Sequence, residues 1–282
     1  MIRGADERVN RKLNLRDSGI ELTRSWRGAL PAGGRDVLRQ FLILLACYAA
    51  YDLARIAVSG REALAVANGQ AIINAEKALH LYLEPTIQTM ASHVHVLVEL
   101  MDWFYGSIHL PATILVLALI YLYRHETFAF FRNVFLTMNL LAMTIFAVFP
   151  VAPPRLVPTS GVVDTLYLYS TTNYRSGILS FVTDQYAALP SLHIGYALFL
   201  SLAIFLLTKN RLARVLAAVY PVVVLAAILI TGNHYLLDAV AGVVVLAVAF
   251  VANWGMLLRR SPVGDYPDGL PYLQEASSRD RT

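Results

Sequence analysis

The chain has 282 residues, 57% of them hydrophobic and only 15% charged, a balance that excludes an ordinary soluble globular domain and points to an all-α, polytopic membrane protein. Its formal charge of +4 does not mark a nucleic-acid binder, because the Arg and Lys residues gather in the N-terminal tail and in short loops beside apolar runs, a membrane-orientation pattern. The single cysteine, Cys47, lies inside the first apolar run, which excludes an intrachain disulfide and makes a buried apolar role the expectation.

Residues 1–37 are charged and broken by Pro31, Gly33 and Gly34, so they read as a polar cytoplasmic tail, loosely attached. The apolar run that follows, about 38–58, starts too late and runs too long for a signal peptide and is expected to stay in the mature protein. A helix needs roughly 20 mostly apolar residues to cross the hydrocarbon. Six runs meet or approach that length, at about 38–58, 107–123, 131–150, 192–208, 213–230 and 234–258. Between the first two, residues 61–104 carry Glu76, Lys77, Glu84, His93, His95, Glu99 and Asp102, and read as an amphipathic helical pair lying in the interface, with two marginal crossings as the alternative. Residues 259–282 form a second polar cytoplasmic tail, so the embedded domain spans 38–258.

Charge then orients the runs. The Arg-rich N-terminus, Arg124 to Arg132, Lys209 to Arg214 and Arg259-Arg260 fall on one side, expected to be cytoplasmic. The opposite, extracytoplasmic face receives the loop 151–189 and the starts of the fourth and sixth runs. One crossing down, a short turn and one crossing back return the chain to that face, so His193 and His234 are expected to meet.

Two polar boxes open those runs. In Pro190-Ser-Leu-His-Ile-Gly195, Ser191 stands where a hydroxyl caps a helix and backbone N–H groups point outward with the positive end of the dipole, a ready anion site. In Thr231-Gly-Asn-His-Tyr-Leu-Leu-Asp238, the turn at Gly232 and Asn233 leads into a second helix start aimed at the same spot, with His234 and Asp238 one turn apart on one face. Such a cradle suits a phosphate group. His234 is the expected nucleophile, Asp238 the group that fixes its tautomer, and His193 the acid that protonates the leaving alkoxide and later deprotonates an incoming hydroxyl. Arg155 and Arg175 are the candidate cations for the equatorial oxygens. The scheme needs no cofactor and no metal, and two His with one carboxylate lack further convincing ligands.

Blander readings stand beside these. His80, His93, His95 and His125 read as interfacial groups reaching headgroups, and Tyr196 and Tyr235 as belt aromatics. Arg155 after Pro153-Pro154 is either a phosphate ligand or a headgroup anchor, and His109, near Pro111, either lines the substrate site or is structural. A proton-coupled carrier would place its ionisable groups near the midplane rather than at helix starts.

The motifs Pro-Ser-Leu-His and His-Tyr-x-x-Asp resemble the second and third motifs of the type 2 phosphatidic acid phosphatase superfamily. The resemblance is nearest to its inositol phosphorylceramide synthase-like branch, through Pro153-Pro-Arg155, Glu76, and Tyr105 with His109, and it covers roughly 38–258. It implies His234 as nucleophile, Asp238 as its partner and His193 as acid. Two departures stand out. Val148 occupies the place of the first-motif Lys, and Ala227-Ile228 the place of the Ser-Arg that opens the third motif. The resemblance implies an enzyme that transfers a phospho-head-group from a phospholipid donor to a lipid or polyol alcohol through a phosphohistidine, or that hydrolyses a lipid phosphate with water as acceptor.

Overall fold

A computed structural model describes residues 30–58, 60–168 and 186–259. Arg175 and most of both polar tails lie outside the described residues. Among those described, the chain is helical, and its longest helices lie on the expected apolar runs.

The first helix, α1 (Gly33–Val58), begins five residues before the expected Leu38. Gly33 supplies the positive φ of 76° at its start, and Asp36 in its first turn accepts hydrogen bonds from Gln40 and from Tyr121. The segment expected to hold an interfacial pair forms three helices, α2 (Glu62–Ala78), α3 (Glu84–Ser92) and α4 (His95–Ser107). Neither α2 nor α3 is long and apolar enough to cross a membrane. The last, α4, continues into α5 (His109–Tyr123) with a bend of 46°, and the two together are long and apolar enough for one broken crossing. Apolar packing of Val98 and Met101 against Ala227 and Ile230 draws α4 into the bundle despite its charged residues.

Four more helices follow: α6 (His125–Val148), α8 (Leu192–Leu207), α9 (Arg211–Ile230) and α10 (Leu236–Arg259), with one short turn of helix, α7 (Thr165–Leu168), in the loop before α8. Three of them, α6, α9 and α10, meet the length and apolarity of a membrane span, and the bent α4–α5 pair makes a fourth. At 16 residues α8 is shorter, and α1 is not among the helices that qualify on the described residues, so six crossings go beyond what length and composition establish.

The core lies where α6, α8 and α10 pack. Phe130, Val134, Met138, Phe199, Leu246 and Ala249 form its centre. Between helices in a lipid environment, close packing replaces the hydrophobic effect as the attractive force, so small residues mark the tightest contact. Here that contact is Gly242 of α10 against the first turn of α8: a Cβ at Gly242 would lie 2.4 Å from the Ser191 carbonyl oxygen.

Cross-links define two ends of the bundle. At one, Tyr121 of α5 meets Asp36 of α1, Arg132 of α6 donates to Gln40, and Asn253 of α10 donates to Thr137. Arg132 is thereby remote from both polar boxes. At the other end, Arg61 donates to the Ala147 carbonyl, Asn68 to the Pro150 carbonyl, and α2 and α3 sit over the start of α10. The two polar boxes open at this second end.

Candidate active site

The strand-like segments on either side of the loop build the floor of the site. Val151 donates to the Tyr186 carbonyl at 2.9 Å and Ala188 donates back to the Val151 carbonyl at 3.1 Å, which makes a parallel bridge between Val151 and Ala187. This fixes the Ala188 carbonyl, which then accepts from His234 Nδ1 at 2.8 Å. A carbonyl only accepts, so Nδ1 of His234 carries a proton and its Nε2 presents a lone pair. That lone pair faces His193 Nδ1 at 3.2 Å. The topology thus brings the two histidines into direct contact, as expected.

Asp238 is placed differently from the expectation. Helix α10 starts at Leu236, so His234 sits in the turn before it and no shared helix face aligns the pair. Asp238 instead reaches back from the first turn, its Oδ2 accepting from the Tyr235 N–H at 2.9 Å and standing 3.4 Å from His234 Nδ1. The shorter bond to Ala188 fixes the tautomer, and Asp238 adds a buried negative charge beside the ring.

The second helix start was expected to offer its N–H groups to a phosphate. It does not. The Tyr235, Leu236 and Leu237 N–H groups are taken by Asp238, by Glu84 Oε1 at 2.8 Å and by Glu76 Oε1 at 2.7 Å. An anion arriving there would meet three carboxyl groups. The start of α8 is the opposite case, because Ser191 makes no side-chain cap bond to its own helix. Its Oγ and His193 Nε2 are both buried without a partner. The Ser191 hydroxyl beside the N–H groups of a helix start is a donor set that suits an anion, and His193 Nε2 joins it when the ring is protonated.

Around the rings, Tyr105 stacks on His193 with centroids 4.2 Å apart, and the His109 ring lies 4.0 Å from it. His109 Nδ1 bonds to the Tyr105 carbonyl at 3.0 Å. His109 is therefore part of the ring cluster, positioned by the break between α4 and α5. Tyr196 and Tyr235 are not belt aromatics: both are buried, Tyr196 donating to Asn139 Oδ1 and Tyr235 to the Ala152 carbonyl. His80, His93 and His95 are exposed, and His125 packs on Tyr121 and Phe128, away from the site.

Arg155 lies within the 3-10 turn Pro154–Leu156 and holds the turn that carries His234. Its N–H donates to the Gly232 carbonyl, its Nε to Asn233 Oδ1 at 2.8 Å, and its Nη1 pairs with Asp164 at 3.0 Å. Asn233 is accordingly a brace, with its amide turned to Thr231, rather than an open donor. Gly232 adopts φ +64°, and a Cβ there would sit 2.5 Å from Val162. It serves the turn rather than the ligand. Gln88 fastens the same region, bonding Val163 through its N–H and carbonyl and reaching the Ile230 carbonyl.

The places of the two missing motif cations are apolar in fact. Val148 is 74% exposed at the end of α6, while Ala227 and Ile228 are buried against α4 and α8. Sequence reasoning missed the Ala188 carbonyl, which carries no side-chain signal, and the roles of Glu84 and Gln88. The acidic residues in an otherwise apolar stretch were the only signal for Glu84.

The family model described as the PAP2 superfamily matches residues 70–252, which include every site residue above. No curated protein and no solved structure matches the chain.

Proposed function

This chain belongs to the PAP2 superfamily, and from that premise we propose that it is a membrane lipid phosphotransferase of the inositol phosphorylceramide synthase type, moving a phospho-head-group to an alcohol through a phosphohistidine on His234. Membership supports lipid phosphatase or phosphotransferase activity in general. The observation that carries the mechanism is the His234 lone pair at Nε2, set by the Ala188 carbonyl and facing His193 Nδ1 at 3.2 Å beside the uncapped start of α8.

In the first step His234 Nε2 attacks phosphorus and the bond to the leaving oxygen breaks, with one proton passing to that oxygen from His193, which meets the anionic substrate as the imidazolium and is left as neutral imidazole. The contact between the rings leaves no room for phosphorus. Substrate must therefore part them, and the proton that His193 points at Nε2 then turns to the leaving group. In the second step an acceptor hydroxyl attacks phosphorus, its proton goes to His193, the P–N bond breaks and the electron pair returns to Nε2. The buried charge of Asp238 offsets the positive charge that the His234 ring gains in the first step.

Transfer from a phosphodiester fits better than hydrolysis of a monoester for one reason. A phosphodiester carries one less charge, and the two motif positions that would supply further cations are Val148 and the buried Ala227-Ile228. Ser191, the N–H groups of α8 and, once freed from Asp164, Arg155 are the proposed phosphate contacts, with Arg175 a further candidate; His109, whose Nδ1 donates to the Tyr105 carbonyl, lines the site through its ring. The Arg-rich loops lie at the end of the bundle opposite the site, which supports an extracytoplasmic active site in a multi-pass cell membrane protein.

Purified wild type and His234→Ala are incubated with radiolabelled lipid phosphates and phosphodiesters, with and without alcohol acceptors. Acceptor-dependent head-group transfer and an acid-labile label on the wild type only are expected. Release of inorganic phosphate alone would make the protein a phosphatase, and equal turnover by both proteins would remove His234 as nucleophile.

A further inference from the structure

The start of α10 is held by two carboxyl groups from elsewhere in the chain. Glu76 of α2 and Glu84, the first residue of α3, are both fully buried, and each accepts one backbone N–H, from Leu237 and Leu236. Their remaining oxygens, Oε2 in each, face no N–H or hydroxyl donor. The two carboxyls accept from successive N–H groups of one helix start and are thereby held side by side in a buried place. Two carboxylates only accept and repel each other, so that arrangement calls for one proton between them.

The groups that face the pair argue the same way. Asp238 and Tyr235 of the α10 start and Tyr82 between α2 and α3 are acidic or neutral. Lys77 of α2 lies over the Tyr82 ring, and among the described residues neither carboxyl has an ion-pair partner. A second ionisation would leave three carboxylates at one buried helix start, where the helix dipole offsets about half a charge.

Resting on the phosphohistidine reading above, we propose that Glu76 and Glu84 are positioning residues for that reaction: they share one proton, cap the helix behind His234, and lose their hold on it when the proton leaves. The mechanism uses neither residue directly. Their role follows from where they bind, since Leu236 and Leu237 directly follow His234-Tyr235, and a repelled pair would release the turn that aims the ring at His193. Burial, reinforced by the charges of Glu84 and Asp238, pushes Glu76 up to about 8, and burial also raises Glu84, so the shared proton is present at neutral pH and leaves in mild alkali.

The test follows the protonated-carboxyl infrared band and the His234 ring-nitrogen NMR resonances of substrate-free protein as pH rises, alongside the pH profile of kcat. Wild type is expected to lose the band, shift the His234 resonances and lose activity over one pH range. Glu76→Gln keeps an acceptor for Leu237 and a permanent donor to Glu84. It should lack the band, hold the His234 resonances still and lose the alkaline limb of the profile while keeping most of its neutral kcat. Glu76→Ala, which leaves a buried N–H unpaired, is expected to lose about tenfold or more. Should Glu76→Gln fail to fold, Glu84→Gln gives the same readings.

A wild-type protein without a titrating band, or an alkaline limb that survives in Glu76→Gln and Glu84→Gln, would overturn the proposal. The spectroscopic arms need no substrate. Band and resonances moving together in a protein that turns over no lipid phosphate would uphold the pair and sink the reaction assigned to it.

Discussion

Replacing Gly242 by alanine tests whether the tight contact between α8 and α10 sets the distance between the two histidines. The added Cβ would lie 2.4 Å from the Ser191 carbonyl oxygen, 3.3 Å from its carbon and 3.5 Å from the Gly195 nitrogen, and the first contact must open to at least 3.0 Å. The obstacle is backbone, so no side-chain rotation relieves it and the first turn of α8 must retreat. That turn carries His193, 3.2 Å from His234, and Ser191, whose N–H donates to the Asp238 carbonyl at 2.9 Å. A retreat of more than half an ångström stretches both contacts. Misplacement of about 1 Å at reacting groups costs on the order of 100-fold in rate, so a loss of ~10- to 100-fold in kcat is expected with KM little changed. Overpacking should lower stability by ~1–3 kcal/mol. The assay is turnover of labelled lipid phosphodiester with a thermal melt of the same sample. Gly255→Ala, where the new Cβ meets nothing within 4 Å, is the control and should match wild type. A folded Gly242→Ala enzyme within twofold of wild-type kcat would refute the claim that this contact sets the geometry.

Asp238→Asn leaves the Ala188 carbonyl in place to fix the His234 tautomer and removes only the buried charge, so kcat should fall by roughly 100-fold, short of the complete loss expected for His234→Ala; equal losses would return the tautomer to Asp238. Stability should fall as pH rises. Glu76 keeps its proton up to about 8 in the folded protein against an ordinary 4.5, so the contribution is whole below 4.5 and is lost as pH climbs through 8. Between those values one proton corresponds to a slope of ~1.4 kcal/mol per pH unit, read from melts at pH 6, 7 and 8, and a Glu76→Gln protein with the same slope would contradict it.

The parts of this fold legible in the sequence are those written in apolar periodicity. Long runs of Ala, Val and Leu put α6, α8, α9 and α10 within a few residues of their expected limits, except that α6 begins at His125 rather than 131. There His125, Glu126 and Arg132 interrupt the apolar run without interrupting the helix, because Phe128, Phe130 and Phe131 bury its other face. The mixed segment was harder. Charges in 61–104 read as contact with water or headgroups, yet Glu76, Glu84 and Asp102 are among the most buried groups in the protein. Pattern alone does not separate a charge facing solvent from a charge facing a helix end 152 residues away.

The same distinction decides which helix start is available to an anion. Sequence places two N-termini at one surface, and by dipole alone they are equivalent. Occupancy separates them: the first three free N–H groups around α10 are spent on Asp238, Glu84 and Glu76, whereas Ser191 leaves the start of α8 uncapped. The carboxyls do for α10 what a phosphate would have done, and with Asp238 they occupy the three N–H groups that directly follow His234. A phosphate approaching His234 is thereby directed to the α8 side, where the Nε2 lone pair points. An acidic cap thus gives a site with few cations a direction of approach, and neither the cap nor the direction follows from the spacing of the histidines.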